Sequence, residues 1–506
     1  MIIAKQETKI TPSKYQEAIY SAILDTDKNI VVTATAGSGK SHTLIESLKL
    51  LPHNKAILLT AFNRSTVEEL SHRAPSHITC STLHSIGMKA LMSHFRTNLR
   101  LNEFKTFPFI EEVIKDKIEF KDGDKKAIMA YKFAIRDVVN LARMTMCENT
   151  IEGLSAVCLH YDINLLEEEL IDVIKVLKRL DIYNRSLTRK YNFIDYIDMI
   201  YLPISNHKIK VPQFDFIAVD EAQDNNNCQH YFIQRLLAPK ARTIYVGDFF
   251  QAIYAFMGSD VNSFQRLQER PNTISLKLSV SYRCSQDVVK IAQQICPEME
   301  AYGNNEKGEV RFGTIDEIVE GDFVLSRNNR PLFYLYFKLL EQEKSVIILG
   351  KDIEVGLQVL ISKIRKKTID EGISYLQERL ELLKEELKAK GVNKVKEHSS
   401  YTSLYDKIRT IEIVSYRYET MKEVSVAIEE MFKEKDKCVK LASVHHSKGM
   451  ENDRVFVIER FNGQKMMPSP YAIMEWQKIQ ERNLLFVALT RAKKSLIFIQ
   501  NINDND

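Results

Sequence analysis

Val31-Val32-Thr33-Ala34-Thr35-Ala36-Gly37-Ser38-Gly39-Lys40-Ser41 is an apolar, β-branched run that breaks into a loop of small residues and ends on a lysine and a hydroxyl. A strand that opens into such a loop predicts a phosphate cradle. Gly37 and Gly39, with Ala36 and Ser38 between and before them, let successive backbone N–H groups surround phosphate oxygens. Lys40 brings a cation toward the β- and γ-phosphates, and Ser41 offers a hydroxyl to Mg2+. Thr43 to Leu48 have helical spacing, so the phosphates would meet the positive end of a helix. The strict form of the motif has glycine where this chain has Ala34. Far downstream, Phe216-Ile217-Ala218-Val219-Asp220-Glu221 is a second apolar strand that ends in adjacent carboxylates. Paired with the loop they read as a hydrolytic centre, Asp220 for Mg2+ and Glu221 to polarise water.

Working outward, 506 residues with 44% hydrophobic content can bury several cores, so more than one domain is expected. Charge is nearly balanced, 71 basic against 67 acidic residues for a formal +4, so any basic surface for nucleic acid must be local. The seven cysteines include no C-x-x-C pair, which argues against a zinc site or a disulfide framework. No apolar run approaches a membrane span and charge soon interrupts the first residues. An intracellular chain without a secretory leader or membrane partner is therefore expected, in cytoplasm or nucleoid, or in a nucleus or host cell for a eukaryotic or viral source.

Thr11-Pro12-Ser13 starts a helix expected to run toward Leu24, with Gln16 either solvent-facing or reading an adenine edge. Ala56 to Arg64 reads as a buried strand ending in Phe62, Asn63 and Arg64, and Ile78 to Ser85 as a short strand ending in hydroxyls and His84. Strands alternating with helices imply a parallel sheet whose functional loops lie at the strand C-terminal ends. Between Lys89 and Asn192 the pattern is helical, with Ile128, Tyr131, Ala134, Ile135 and Val138 on one face; from Val355 to Lys437 it is helical and highly charged. There Leu376, Leu380, Leu383 and Leu387 form a stripe that is a coiled-coil seam or, given its short length, the buried face of a helical insertion.

The loop at 34–41 is followed by Val219-Asp220-Glu221-Ala222-Gln223-Asp224, Val246-Gly247-Asp248-Phe249-Phe250-Gln251-Ala252-Ile253-Tyr254 and Ser281-Tyr282-Arg283. Further on come Val444-His445-His446-Ser447-Lys448-Gly449-Met450-Glu451 and Val487-Ala488-Leu489-Thr490-Arg491-Ala492. In this order and spacing the blocks resemble the UvrD/Rep group of superfamily 1 DNA helicases, and Ala61-Phe62-Asn63-Arg64 and Thr82-Leu83-His84-Ser85-Ile86-Gly87 resemble its phage and F-box-helicase-like branches. The chain is short for the group, so no fused nuclease domain is expected after Arg491.

The resemblance implies an α/β fold of two RecA-like P-loop motor domains with parallel sheets, each carrying a mainly helical insertion. The first motor domain would comprise 1–88 and 193–277 with its insertion at 89–192, and the second 278–354 and 438–506 with its insertion at 355–437. It implies an ATP- and Mg2+-dependent DNA helicase and translocase moving 3′-to-5′ on single-stranded DNA, with tailed duplex as substrate. Alternatives are a translocase that remodels protein–DNA complexes without unwinding, and a nucleotide-gated binding switch. Gln251 would sense the γ-phosphate, Arg283 and Arg491 would act as arginine fingers, Tyr282 would stack on adenine, and Gly449 and Glu451 would lie near the nucleotide, Glu451 at the ribose. Tyr254 and Phe256 fall at base-stacking positions, or are core aromatics; Phe62, Asn63, Arg64, His84 and His445 are further DNA-facing candidates. His42 and Met257 depart from the group, which commonly carries arginine at both places.

Overall fold

Unbroken runs of Val, Ile, Leu and Ala mark strands covered on both faces, the signature of a parallel sheet between helical layers. The computed structural model describes residues 12–115, 125–161, 163, 165–255, 258–259, 263–364, 368–389, 395–397 and 399–503. The chain divides into two units, Met1–Val280 and Ser281–Asp506.

The first unit is built on strands β1 (Asn29–Ala34), β2 (Ile57–Thr60), β3 (Ile78–Cys80), β4 (Phe214–Val219), β5 (Leu237–Gly247) and β6 (Thr273–Leu278). They form one parallel sheet in the order β3-β2-β4-β5-β1-β6. Alternation splits each strand between two cores. Ile30, Val32, Ile57, Leu59 and Ala218 pack on α1 (Lys14–Asp25), α2 (Lys40–Lys49) and α3 (Arg64–Arg73). Val31, Leu58, Ile217 and Val219 pack on α4 (Leu83–Phe95) and on the helices Tyr196–Ser205 and Asn227–Arg235. Two expected strands are shorter than read from hydropathy. The second stops at Thr60 because Asn63 accepts from Thr66 N and caps α3; the third stops at Cys80 because Thr82 caps α4, which puts His84 in a first helical turn.

Between α4 and the helix at Tyr196 lie α5 (Phe107–Ile114), α6 (Lys125–Thr145), α7 (Ile151–Tyr161) and α8 (Glu167–Arg185), followed by α9 (Tyr196–Ser205) and α10 (Asn227–Arg235). Helices α5 to α8 close around their own core, including Ile110, Ile135, Val138, Leu154, Val173 and Leu180. Tyr183 of α8 packs against the core that holds Met199 and Ile200 of α9, and buried charges complete the joint. Lys105 Nζ donates to Asn184 and Asp198; Arg143 donates to Asp195 Oδ2 at 2.9 Å and Asp198 Oδ1 at 3.2 Å. Lys105, Arg143 and Asp198 are all under 4% exposed, and Asp195 and Asp198 also cap α9 by bonding each other's backbone N–H. Burial would raise the Asp195 carboxyl, but Arg143 and Lys105 outweigh it and hold it below the usual range, whereas burial and Asp195 together raise Asp198.

The second unit has strands β7 (Glu309–Gly313), β8 (Phe323–Ser326), β9 (Val346–Leu349), β10 (Val439–Ser443), β11 (Asn452–Ile458) and β12 (Ala492–Ile499), parallel in the order β7-β12-β11-β8-β10-β9. Its helices include α11 (Gln286–Ala292), α12 (Arg330–Glu341), α13 (Lys351–Ser362), α14 (Ile369–Ala389), α15 (Ser399–Ser415), α16 (Met421–Met431) and α17 (Glu475–Leu489). A single apolar cluster runs from Val324, Ile348, Leu441 and Phe456 of the sheet through Phe333 to Leu376, Ile411 and Ile428 of the helices. Leu376, Leu380 and Leu387 are buried in it and Leu383 packs against it, so the stripe faces a core. The α/β architecture with two parallel sheets is the expected one.

Candidate nucleotide site and strand-facing surface

The loop leaves β1 at Ala34, which is the last strand residue, paired with Leu278 and buried. Its backbone has no positive φ, so alanine serves where the strict motif has glycine. Gly37 and Gly39 do turn left-handed, at φ 72° and 76°. Gly39 is also the N-cap of α2 and has open space where a Cβ would go, so backbone conformation rather than crowding demands glycine there. Ser38 is buried and ties the loop by donating to Thr35 O, while Thr35 Oγ1 donates to Ser279 O. Gln16 is 4% exposed. Its oxygen accepts from Ser13 N and its nitrogen donates to Thr43 Oγ1 at 3.0 Å, so it braces α1 against α2 rather than facing solvent. His42, in the first turn of α2, is exposed.

Across the sheet, β4 delivers Asp220 and Glu221. Ser41 Oγ donates to Asp220 Oδ2 at 2.7 Å. A hydroxyl and a carboxylate oxygen this close can both be ligands of one small octahedral cation, which takes one or two protein oxygens and completes its shell with water and phosphate; the pair fits Mg2+. Lys40 Nζ lies 3.0 Å from Glu221 Oε1. Glu221 itself adopts φ 50°, a conformation costly for a residue with a Cβ and concentrated at functional sites.

From Glu221 a hydrogen-bond chain continues to Gln251 through Gln223 and Asp248, which motif reading left without a role. Gln223 Nε2 donates to Glu221 Oε2, Gln223 Oε1 accepts from Asp248 N at 3.0 Å, and Asp248 Oδ2 accepts from Gln251 Nε2 at 2.6 Å. Gly247 makes room for it: a Cβ there would stand 2.6 Å from Gln223 Oε1. Asp248 is fully buried, and burial pushes its carboxyl up to about 6 despite Lys40. Burial acts to lower the Lys40 ammonium, yet Glu221, Asp248 and Asp220 together hold it above its ordinary value. Burial and Glu221 raise Asp220. The site thus keeps one cation among three carboxylates.

In the second unit, Arg283 and Lys493 both bind the carboxylate of Glu451, Lys493 at 3.0 Å. Burial would raise that carboxyl, but the two cations hold it low. Asn305 fixes the turn that carries Tyr282 and Arg283 by donating to Ser281 O and Cys284 O, and the Tyr282 ring lies 4.9 Å from Tyr302. Gly449 precedes Glu451 at φ 85°. Arg491 is 1% exposed and donates to Val487 O at 3.0 Å and Met450 O at 2.9 Å. Its guanidinium is held inside the unit by backbone carbonyls.

A family model described as the UvrD/REP helicase N-terminal domain matches residues 15–272, more than half of the chain. The chain belongs to the UvrD/Rep helicase family. A UvrD-like helicase C-terminal domain matches residues 439–499. F-box DNA helicase 1 of Gallus gallus is 24% identical across 98% of this chain and 49% of its own length. F-box DNA helicase protein 1 of Schizosaccharomyces pombe is 25% identical across 96% of this chain and 57% of its own length. The ATP-dependent DNA helicase Rep of Buchnera aphidicola is 23% identical across 57% of this chain and 44% of its own length. The chain thus spans about half the length of the curated relatives it matches.

For a UvrD/Rep-family chain the strand-facing candidates fall into two groups. Phe62 and Tyr254 come together, half-buried, with ring centroids 5.6 Å apart and planes within 6°. Phe256 lies outside the described residues. Asn63 is committed to capping α3, and Arg64 pairs with Glu68 at the surface. His84 stands edge-on to Tyr196, and burial lowers its pKa. His445 is held down at about 3 by burial and by Arg327, which itself grips Glu481 with two guanidinium nitrogens. Burial thus disfavours the charged form of both imidazoles. Among the described residues, no group of three or more His, Cys, Asp or Glu could hold a metal, and no helix is long and apolar enough to cross a membrane.

Proposed function

We propose that the chain is an ATP-dependent DNA translocase and helicase that moves 3′-to-5′ on single-stranded DNA, acting on tailed duplexes. The observation that carries this reading is the continuous chain Lys40–Glu221–Gln223–Asp248–Gln251 beside the Ser41–Asp220 pair. A binding switch needs the cradle; it does not need a carboxylate wired to a phosphate-sensing amide. Related chains carrying the printed name ATP-dependent DNA helicase support the substrate class.

Lys40 and the loop amides would hold the phosphates. Mg2+, held by Ser41 and Asp220, would neutralise phosphate charge. Glu221 would accept the proton of the attacking water, and Gln251 would register the γ-phosphate through Asp248. Arg283 and Arg491 would add positive charge in the transition state when the two units close on one nucleotide, and Tyr282 would stack on its base. Phe62, Tyr254 and Phe256 would stack on strand bases, with Asn63, Arg64, His84 and His445 beside the path.

The test is ATP turnover with no DNA, a 3′-tailed duplex and a 5′-tailed duplex, together with strand separation. Stimulation and unwinding on the 3′ tail support the reading, and preference for the 5′ tail overturns the direction. Lys40→Ala should lose nucleotide binding, whereas Glu221→Gln should keep binding and lose turnover. Arg283→Ala and Arg491→Ala should each lower kcat by roughly a hundredfold or more. Near-normal turnover in either arginine variant removes that residue from the mechanism.

A further inference from the structure

Where β2 and β4 end, Thr60, Phe62, His84, Asp220, Asn225 and Gln229 line a small cavity of about 10 Å3. That is room for one water molecule. Thr60 shares its sheet face with Leu58, so its hydroxyl points to the α4 side, and Asp220 N donates to Thr60 O at 2.9 Å, pinning the two strand ends together. Thr60 is 1% and Asn225 4% exposed. Yet Thr60 Oγ1 and Asn225 Nδ2 find no hydrogen-bond partner in the protein. Two polar groups so deeply buried carry a desolvation cost unless something bonds both.

We propose that this cavity is a built site for one ordered water that hydrogen-bonds Thr60 Oγ1 and Asn225 Nδ2 against Asp220, joining the carboxylate end of β4 to the β2 end that carries Phe62. The room is that of a single water, and Asp220 in the lining disfavours an anion. Burial disfavours the charged form of His84 in the same wall. A water can both donate and accept, which suits a wall holding an amide donor, a hydroxyl and a carboxylate. Its consequence is coupling: a shift of Asp220 on nucleotide binding is passed to Phe62 without a direct side-chain contact. That consequence rests on the proposed function; the water site does not.

The experiment compares Thr60→Val and Thr60→Ser with the parent in the full chain. Melting without ligands reads the water, and the ratio of DNA-stimulated to basal ATP turnover reads the coupling. With a bound water, Thr60→Val removes one of its partners and lowers the melting temperature by about 2 °C or more, while Thr60→Ser stays near the parent. A higher melting temperature for Thr60→Val means a dry cavity that valine fills, and overturns the site. Unchanged melting with weaker single-strand affinity means a strand phosphate reaches Thr60, and also overturns it. Given the melting loss, the stimulation ratio should fall about tenfold in Thr60→Val with basal turnover within twofold. An unchanged ratio overturns the coupling alone. A parent that DNA does not stimulate strikes at the proposed function and leaves the melting comparison intact.

Discussion

Helices α5 to α8 of the first unit enclose a core of their own and meet α9 through Lys105, Arg143, Asp195 and Asp198, whereas helices α13 to α16 of the second unit share one apolar cluster with their sheet. An ionic joint is directional and depends on every partner being present. A hydrocarbon joint is tolerant of shape but binds the fates of both sides, since each buried residue touches many others. The first arrangement predicts a bundle that opens apart from its sheet. The second makes helices and sheet one cooperative body.

The largest effect should come from breaking the ionic joint. Arg143→Met leaves Asp195 and Asp198 buried with one cation fewer, and should cost about 3–5 kcal/mol in urea unfolding. Pairing it with Asp195→Asn should cost less than the sum of the two single changes. Next, Leu376→Ala and Leu154→Ala each empty a fully buried site and should each cost about 2–5 kcal/mol. Hydrogen exchange separates them: Leu376→Ala should loosen β8 and β10 along with α14, while Leu154→Ala should loosen α5 to α8 and spare β2 and β4. Exchange confined to α14 in the first variant would dissolve the contrast.

A smaller effect depends on pH and has opposite signs in the two regions. Burial pushes Asp406 of α15 up to about 6, against the pull of Arg330 and Arg327, from an ordinary 3.8. Its folded pKa is raised, so the native state holds the extra proton. Relative to Asp406→Asn, parent stability should therefore fall as pH rises from about 4 to 6 and level off above, by up to about 3 kcal/mol at 1.36 kcal/mol per unit. Asp195 is shifted downward, so its contribution is present above the ordinary 3.8 and is lost as pH drops through its lower folded value, with Asp198 working against it. Urea midpoints across pH 3 to 8 check both signs. The smallest change is Arg185→Ala, which breaks a surface pair with Asp181 and should move stability by no more than about 0.5 kcal/mol.

Much of this was legible in the chain itself because the decisive features are local. The Val31–Ser41 run, the Phe216–Glu221 run and the blocks around Gln251, Arg283, Glu451 and Arg491 are each read within a dozen residues, and alternation of strands with helices yields parallel sheets. What stayed hidden depends on distant partners. Gln223 and Asp248 look like ordinary polar residues until the fold places an amide against a backbone N–H 25 residues on. Asp195 and Asp198 give no sign in sequence of the buried Lys105 and Arg143 that reach them from elsewhere in the chain. Arg491 gives no sign in sequence that its guanidinium lies among carbonyls, and the Leu376 stripe cannot say which core it faces. Gln16 was open between two readings, and its bond to Thr43 excludes the solvent-facing one.

The bond between Lys40 and Glu221 has a consequence for timing. The one ammonium in the loop is engaged by the carboxylate assigned to water, so each has a claim on the other until a phosphate outbids the carboxylate. On the proposed function, arrival of the triphosphate is therefore also the event that releases the base. On the same reading, a pocket holding only a nucleoside, or only solvent, would leave Glu221 latched to Lys40 and idle.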